Sequence, residues 1–237
     1  MNYVVSDIHG CYNLWVKILK KINFKDEDKL YCLGDAMDKG RESIRVMQDI
    51  MSRNNVIYVM GNHDYMALKV FEKVVNLSFE DFEKQYNKIN LEEYTLWDKY
   101  GGDITLKQFF ALSVYERKKI IDFLLKTTFY KVLEIKGVTY ILSHAGIKDF
   151  NEDTDISELS NFPLESFIFT RPDFNISLFK DKNNKLIIGH TPTLSITGKS
   201  EIYKNNSYID VDCGAIYGGK LAAYCIETKE EFYACWI

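Results

Sequence analysis

All four histidines of this 237-residue chain stand in one kind of place, and that placement limits what the chain can fold into. His9, in Ser6-Asp7-Ile8-His9-Gly10, follows the short β-branched run Tyr3–Ser6. His63, in Gly61-Asn62-His63-Asp64, follows Val56–Met60. His144, in Ser143-His144-Ala145-Gly146, follows Tyr140-Ile141-Leu142, and His190, in Gly189-His190-Thr191, follows Leu186-Ile187-Ile188. Each lies where an apolar strand leaves into a turn beside glycine. The run Leu30–Leu33 ends without histidine but leads into Gly34-Asp35-Ala36-Met37-Asp38-Lys39-Gly40. Open α/β sheets collect ligands at the carboxyl ends of their strands. Convergence of these exits brings Asp7, His9, Asp35, Asn62, His144 and His190 together. A lone histidine after a strand is ordinarily a hydrogen-bonded structural residue, and a lone Gly-Asp is ordinarily a turn. That explanation must be repeated at every exit and must also account for the absence of histidine elsewhere, so a metal cluster is the better reading.

The rest of the chain supplies the sheets this requires. Leu14, Ile18, Leu19 and Ile22 recur at helical spacing, as do Ile44, Met47, Ile50 and Met51. Short apolar runs joined through helices predict parallel strands buried on both faces. From about residue 65 to 128 the pattern is helical, polar and aromatic, broken at Gly101-Gly102, which predicts a helical insertion. Tyr130–Ile135 and Val138–Leu142 flank Lys136-Gly137 as a hairpin, and further strands are expected at Lys185–Ile188, Tyr208–Val211, Leu221–Ile226 and Glu231–Trp236. The expected fold is α/β: two packed mixed β-sheets, a β-sandwich, flanked by helices, forming a single domain over residues 1–237.

Charge and composition narrow the function. Thirty Lys plus Arg against 34 Asp plus Glu give a net charge of −4, so no basic excess points to nucleic acid or a membrane. An anionic substrate must then be held by a local cluster or a metal. An apolar content of 46% with only 3 prolines excludes a disordered or low-complexity chain. The five cysteines form no C-x-x-C pair and read as reduced core thiols. Met1–Gly10 lacks a signal-peptide pattern, and no run nears the ~20 apolar residues of a membrane span, so a soluble cytoplasmic protein is expected.

Six candidate ligands are too many for one tetrahedral site with an open position. Imidazole, carboxylate and amide without thiolate suit Mn, Fe, Zn or Co better than a soft metal. An aspartate bridging two ions shares the donors sensibly. Two metals roughly 3.5–4 Å apart can activate a hydroxide and clamp both oxygens of an in-line phosphoryl displacement. The residues alone therefore point to metal-assisted phosphoester hydrolysis.

At these residues the chain resembles the phosphoprotein phosphatase family of binuclear metallophosphatases, within the calcineurin-like metallophosphoesterases. The family pattern D-x-H-G, G-D-x-x-D-R-G, G-N-H-[ED], H-[AG]-G and G-H-T is met in order by Asp7–Gly10, Gly34–Gly40, Gly61–Asp64, His144–Gly146 and Gly189–Thr191. Asp210 to Leu221 resembles the strand and loop that end bacterial members. The resemblance implies two divalent ions, manganese foremost: Asp7 and His9 on the first, Asp35 bridging, and Asn62, His144 and His190 on the second. His63 is then the general acid that protonates the leaving oxygen, oriented by Asp64, with Asp38 in support. Arg171, in Phe169-Thr170-Arg171-Pro172, resembles the phosphate-binding arginine of bacterial members, and Lys39 stands where the family has arginine in G-D-x-x-D-R-G. Met60 replaces the arginine that many protein phosphatases carry before G-N-H, while Pro192 replaces the second histidine of G-H-x-H in broader metallophosphoesterases. The expected activity is that of a bacterial-type serine/threonine protein phosphatase acting on a phosphorylated protein or small phosphoester. The alternative is a symmetrical bis(5'-nucleosyl)-tetraphosphatase, to which a G-N-H without preceding arginine leans.

Two further stretches carry no site. Gly214 to Lys220 imitates a P-loop, but Leu221 stands where that motif needs Ser or Thr and opens a strand-like run. The acidic stretch Asp149 to Glu158 reads as a solvated loop.

Overall fold

Alternation along the strands assigns each side chain to one of two packing layers. In β1 (Asn2–Val5), Tyr3 and Val5 face one core and Val4 the other, as the two-residue repeat of a strand dictates. In β2 (Lys29–Cys32), Leu30 and Cys32 join Tyr3 and Val5, while Tyr31 joins Val4. The first face is covered by α1 (Tyr12–Lys21), which buries Leu14, Trp15, Ile18 and Leu19, and by α2 (Ser43–Met51), which buries Ile44, Val46, Met47 and Ile50. Each large apolar side chain fully buried in this way contributes about 1.5–3 kcal/mol.

The computed structural model describes residues 1–85 and 92–236. After β3 (Val56–Tyr58) the chain runs through α3 (Asn62–Val74), α4 (Phe79–Gln85), α5 (Glu92–Lys99), α6 (Asp103–Phe110) and α7 (Val114–Leu125). It returns beside its point of departure, where the Met60 N–H donates to the Thr128 carbonyl at 2.8 Å. The helices thus begin at Asn62, earlier than the residue 65 expected, because Gly61 caps α3 and its N–H donates to Asp64. Residues 86–91 of the expected insertion lie outside the described residues. Trp97, Leu106, Phe109 and Phe110 of this segment pack into the same core as Val5 and α1.

The second half supplies β4 (Tyr130–Ile135), β5 (Val138–Ser143), α8 (Ser166–Phe169), β6 (Asn184–Ile188), α9 (Thr193–Thr197), β7 (Tyr203–Lys204), β8 (Tyr208–Asp210), β9 (Leu221–Cys225) and β10 (Glu231–Ala234). Lys136 (φ 52°) and Gly137 (φ 74°) form the tight turn of the β4–β5 hairpin. The strands make two mixed sheets, ordered β10-β9-β1-β2-β3 and β4-β5-β6-β8-β7. β1, β2 and β3 are parallel, as are β5, β6 and β8. Val4, Tyr31 and Leu33 meet Tyr140, Leu142, Ile187 and Ile209 between the sheets. The outer face of the second sheet packs Ile141, Leu186 and Ile188 against Phe150, Phe167, Ile168 and Phe179.

The architecture is therefore the predicted α/β pair of packed mixed sheets with helices outside. Strand β7 escaped the sequence reading because two residues carry no periodic signal. The P-loop imitation is a three-residue 3-10 turn, Ala215–Tyr217, followed by β9. Among the described residues no helix is long and apolar enough to cross a membrane.

Candidate metal centre

Parallel strands from both sheets send their carboxyl ends to one cleft of about 380 Å³, lined by Asp7, His9, Asp35, Asn62, His63 and His190 among others. The exits turn sharply. Asp7 (φ 52°), His9 (44°), Asp35 (53°), Asp38 (70°), Lys39 (62°) and His190 (66°) all adopt the left-handed region, which costs a residue with a side chain ~1–2 kcal/mol. Hydrogen bonds between the exits over-determine these turns. Asp7 N–H donates to Gly34 O at 3.2 Å, His9 N–H to Asp35 O at 2.9 Å, and Gly189 N–H to His144 O at 2.8 Å. His190 N–H donates to Asp7 Oδ2 at 2.9 Å, tying the two sheets together at the site. Gly61 has no substitute here, since a β-carbon would lie 2.2 Å from Asp35 Oδ1.

Main-chain carbonyls set the histidine orientations. His9 Nδ1 lies 2.8 Å from Met37 O and His144 Nδ1 lies 2.7 Å from Leu33 O. A neutral ring pinned in this way donates from Nδ1 and keeps its Nε2 lone pair for the cleft. His144 Nε2 is 3.5 Å from Asp35 Oδ2 and 2.9 Å from Asn62 Oδ1, with His190 Nδ1 3.0 Å from the same amide oxygen. His9 Nε2 is 3.6 Å from Asp35 Oδ2 and 3.8 Å from Asp7 Oδ1. Asp35 therefore stands between two ligand groups, within reach of both.

This donor set fits divalent cations. Lone pairs face lone pairs, and His9 and His190 do not relieve the conflict by taking protons. Burial, the Lys39 charge and His63 hold His9 well below the ordinary histidine range. Burial, with His144 and Arg171, pushes His190 down to about 2. Burial, with the Asp7 and Asp64 charges, drives the Asp35 carboxyl well up, despite the opposing pull of His63 and Lys39. A cation between the donors offsets the cost of burying them together. The Lys39 ammonium, 3.0 Å from His9 Nε2, supplies positive charge at this spot. Two divalent ions held here would polarise phosphoryl oxygens and generate a nucleophile from water at neutral pH.

His63, the expected proton donor, is held differently from the expectation. His63 Nδ1 lies 2.7 Å from Asp38 Oδ2, not against Asp64. Asp64 is turned the other way, its Oδ2 accepting from Asp35 N–H at 2.8 Å, Tyr58 O–H at 2.8 Å and Gly61 N–H at 3.1 Å. Successive residues at a helix start diverge by about 100°, so Asp64 cannot face the ring beside it. Asp64 instead fixes the backbone of Asp35. Burial pushes the His63 pKa down, but the Asp35 charge and the Asp38 hydrogen bond outweigh it and hold it above the ordinary value.

Arg171 reaches the cleft because Thr170 bridges to Gly146, next to the His144 turn. Its Nη1 donates to Thr191 Oγ1 at 3.2 Å. Sequence reasoning named Arg171 and Lys39 but missed Asp212, a buried carboxylate of the cleft after β8, and the mouth formed by Leu96, Tyr100, Phe169 and Tyr217. Only the G-D-x-x-D spacing hinted at Asp38, and no local signal marked the mouth.

Comparison with known proteins agrees with this geometry. An asymmetrical bis(5'-nucleosyl)-tetraphosphatase PrpE from Oceanobacillus iheyensis is 24% identical over 96% of this chain and 89% of its own length. Serine/threonine-protein phosphatase 2 of Salmonella typhimurium is 42% identical, but over only 30% of this chain and 32% of its own. A crystal structure provisionally assigned as a diadenosine tetraphosphatase superposes with a TM-score of 0.65, 17% identity, and coverage of 99% of this chain and 93% of that one. The sequence profile described as calcineurin-like phosphoesterase matches residues 3–218. With that match spanning nearly the whole sandwich and the histidines and carboxylates gathered at its strand exits, the chain belongs to the calcineurin-like phosphoesterase family and is a metal-dependent hydrolase of phosphoric esters.

Proposed function

We propose that this chain hydrolyses bis(5'-nucleosyl) tetraphosphates. The observation that carries this reading is the mouth of the cleft. Tyr100, Phe169 and Tyr217 are exposed, at 48%, 44% and 62%, around a buried donor cluster. Exposed rings beside a phosphate site suit a nucleobase, which stacks on an aromatic face at ~1–3 kcal/mol per base. A phosphoserine or phosphothreonine side chain has no such ring to place there. Full-length similarity to tetraphosphatases supports the same substrate class over the serine/threonine phosphatase expected from the motifs. The resemblance to a serine/threonine phosphatase is confined to a 71-residue stretch.

In this reading Asp7 and His9 would hold one ion and Asn62, His144 and His190 the other, with Asp35 within reach of both, and manganese is the ion to test first. Arg171 and Lys39 neutralise phosphoryl oxygens, Arg171 with the planar fork that matches two oxygens at once. His63, on Asp38, gives a proton to the departing oxygen when the leaving group needs one.

The test is turnover of diadenosine tetraphosphate against a phosphoserine peptide, with Mn²⁺. The expected result is a higher kcat/KM for the dinucleotide, and the reverse ranking overturns the proposal. Two ADP among the products mark a symmetrical cut, and ATP with AMP an asymmetrical one.

A further inference from the structure

We infer that Trp97, carried into the site by α5 of the helical segment, is a positioning residue for the proton donor: its indole N–H holds Asp38, and Asp38 holds His63. This rests on the reading of His63 as the acid, and not on which phosphoester is the natural substrate.

Asp38 Oδ2 accepts two N–H bonds, from His63 Nδ1 at 2.7 Å and from Trp97 Nε1 at 2.5 Å. Asp38 and Trp97 are wholly buried, so water cannot replace either donor. The main chain of Asp38 is held from the same segment, its N–H donating to Thr105 Oγ1 at 3.0 Å. The next residue is held there too, Lys39 N–H donating to Gly101 O at 3.1 Å. The indole has no freedom of its own. Phe71, from the helix that carries His63, meets it edge-on at 5.6 Å, and a β-carbon on Gly102 would lie 2.3 Å from the ring.

Two donors on one carboxylate oxygen fix the plane of that carboxylate, and the plane fixes the imidazole. His63 Nδ1–H is thereby committed to Asp38, which leaves Nε2 as the ring nitrogen that can face a substrate. In the reaction a water-derived oxygen bonds to phosphorus as the P–O bond to the leaving group breaks, the imidazolium gives its Nε2 proton to that leaving oxygen, and the neutral ring recovers a proton from water. Without Trp97 the Asp38 carboxylate is buried with one donor and free to turn, and proton delivery suffers while phosphate binding does not.

The experiment compares aryl phosphates with one phosphoryl group and different leaving groups. A dinitrophenolate departs without a proton, whereas a phenolate or alkoxide requires one. In the manganese-loaded protein, Trp97→Phe is expected to leave KM and turnover of dinitrophenyl phosphate within about twofold while lowering kcat on phenyl phosphate roughly tenfold or more, part of the ~10²–10⁴ of general acid catalysis. His63→Asn is expected to show the same steepened leaving-group dependence, and Trp97→Phe to add nothing to it. Phe71→Leu, which disturbs packing alone, is expected to keep the wild-type slope. If Trp97→Phe does not fold, benzothienylalanine at position 97 replaces only the N–H with sulfur. An equal loss on every substrate, or no loss, in Trp97→Phe with a steep His63→Asn series overturns the role of Trp97. A flat His63→Asn series overturns the acid itself and the inference with it.

Discussion

His63 and Asp38, 25 residues apart in sequence, meet across two strand exits with 2.7 Å between Nδ1 and Oδ2. Both are buried, so their pairing governs the protonation state of an imidazole whose pKa is held above its ordinary value.

That raised value sets the alkaline side of the rate. A histidine acid is active below its pKa, so kcat on substrates with poor leaving groups falls as pH rises through it. Asp38→Asn removes a cause that raises the pKa. The descending limb should move to lower pH in this variant, measured as kcat against pH on phenyl phosphate. A limb that stays in place assigns the titration to another group.

Asp64 calls for a different outcome. Its three hydrogen bonds hold the Asp35 backbone, Tyr58 and the start of α3. Asp64→Ala should weaken manganese binding about 10–100-fold, the range for residues that orient metal ligands. Metal titration checks this, and the leaving-group slope should remain that of the wild type.

The centre draws Asp7, His9, Asp35 and Asn62 from the first sheet, and His144 and His190 from the second. Ions that bind only the folded chain must stabilise it, by about 2.7 kcal/mol at a hundredfold excess over Kd. For a chain of this size that corresponds to a Tm rise of roughly 5–10 °C on adding metal, lost again with chelator. Thermal scans with His144→Asn should show the shift diminished.

Arg117 tests stability apart from chemistry. Its buried guanidinium donates to the carbonyls of Val75, Leu77, Phe109, Phe110 and Leu112, closing the ends of α3 and α6 without any carboxylate. Arg117→Met should cost roughly 3 kcal/mol or more by urea unfolding, because the freed carbonyls stay buried. At low temperature, kcat of the folded fraction should be unchanged.

The sequence carried the strand exits well, because an apolar run ending in Asp, His or Asn beside Gly has one physical meaning in a parallel sheet. It misassigned the partner of His63 because adjacency in sequence is not adjacency on a helix. Asp64 is next in the chain but faces Asp35, whereas Asp38 comes from the turn that follows β2. Trp97 was invisible for a related reason. A tryptophan in an aromatic helical stretch reads as core, and only the return of α5 to the sheet brings its N–H to a carboxylate. The sequence offered a tetraphosphatase only as the alternative, since the rings at the mouth come from three separated segments.

The left-handed turns at Asp7, His9, Asp35 and His190 restrict which replacements are informative. Asparagine visits that backbone region readily, whereas alanine resists it and valine more so. An alanine scan of the ligands would therefore mix a missing donor with a main chain forced out of shape, and overstate each ligand. Asparagine at these positions spares the turn while removing the charge or the ring, and it keeps an amide oxygen of the kind Asn62 offers, so the gap between the two substitutions at one site measures the turn and that oxygen together.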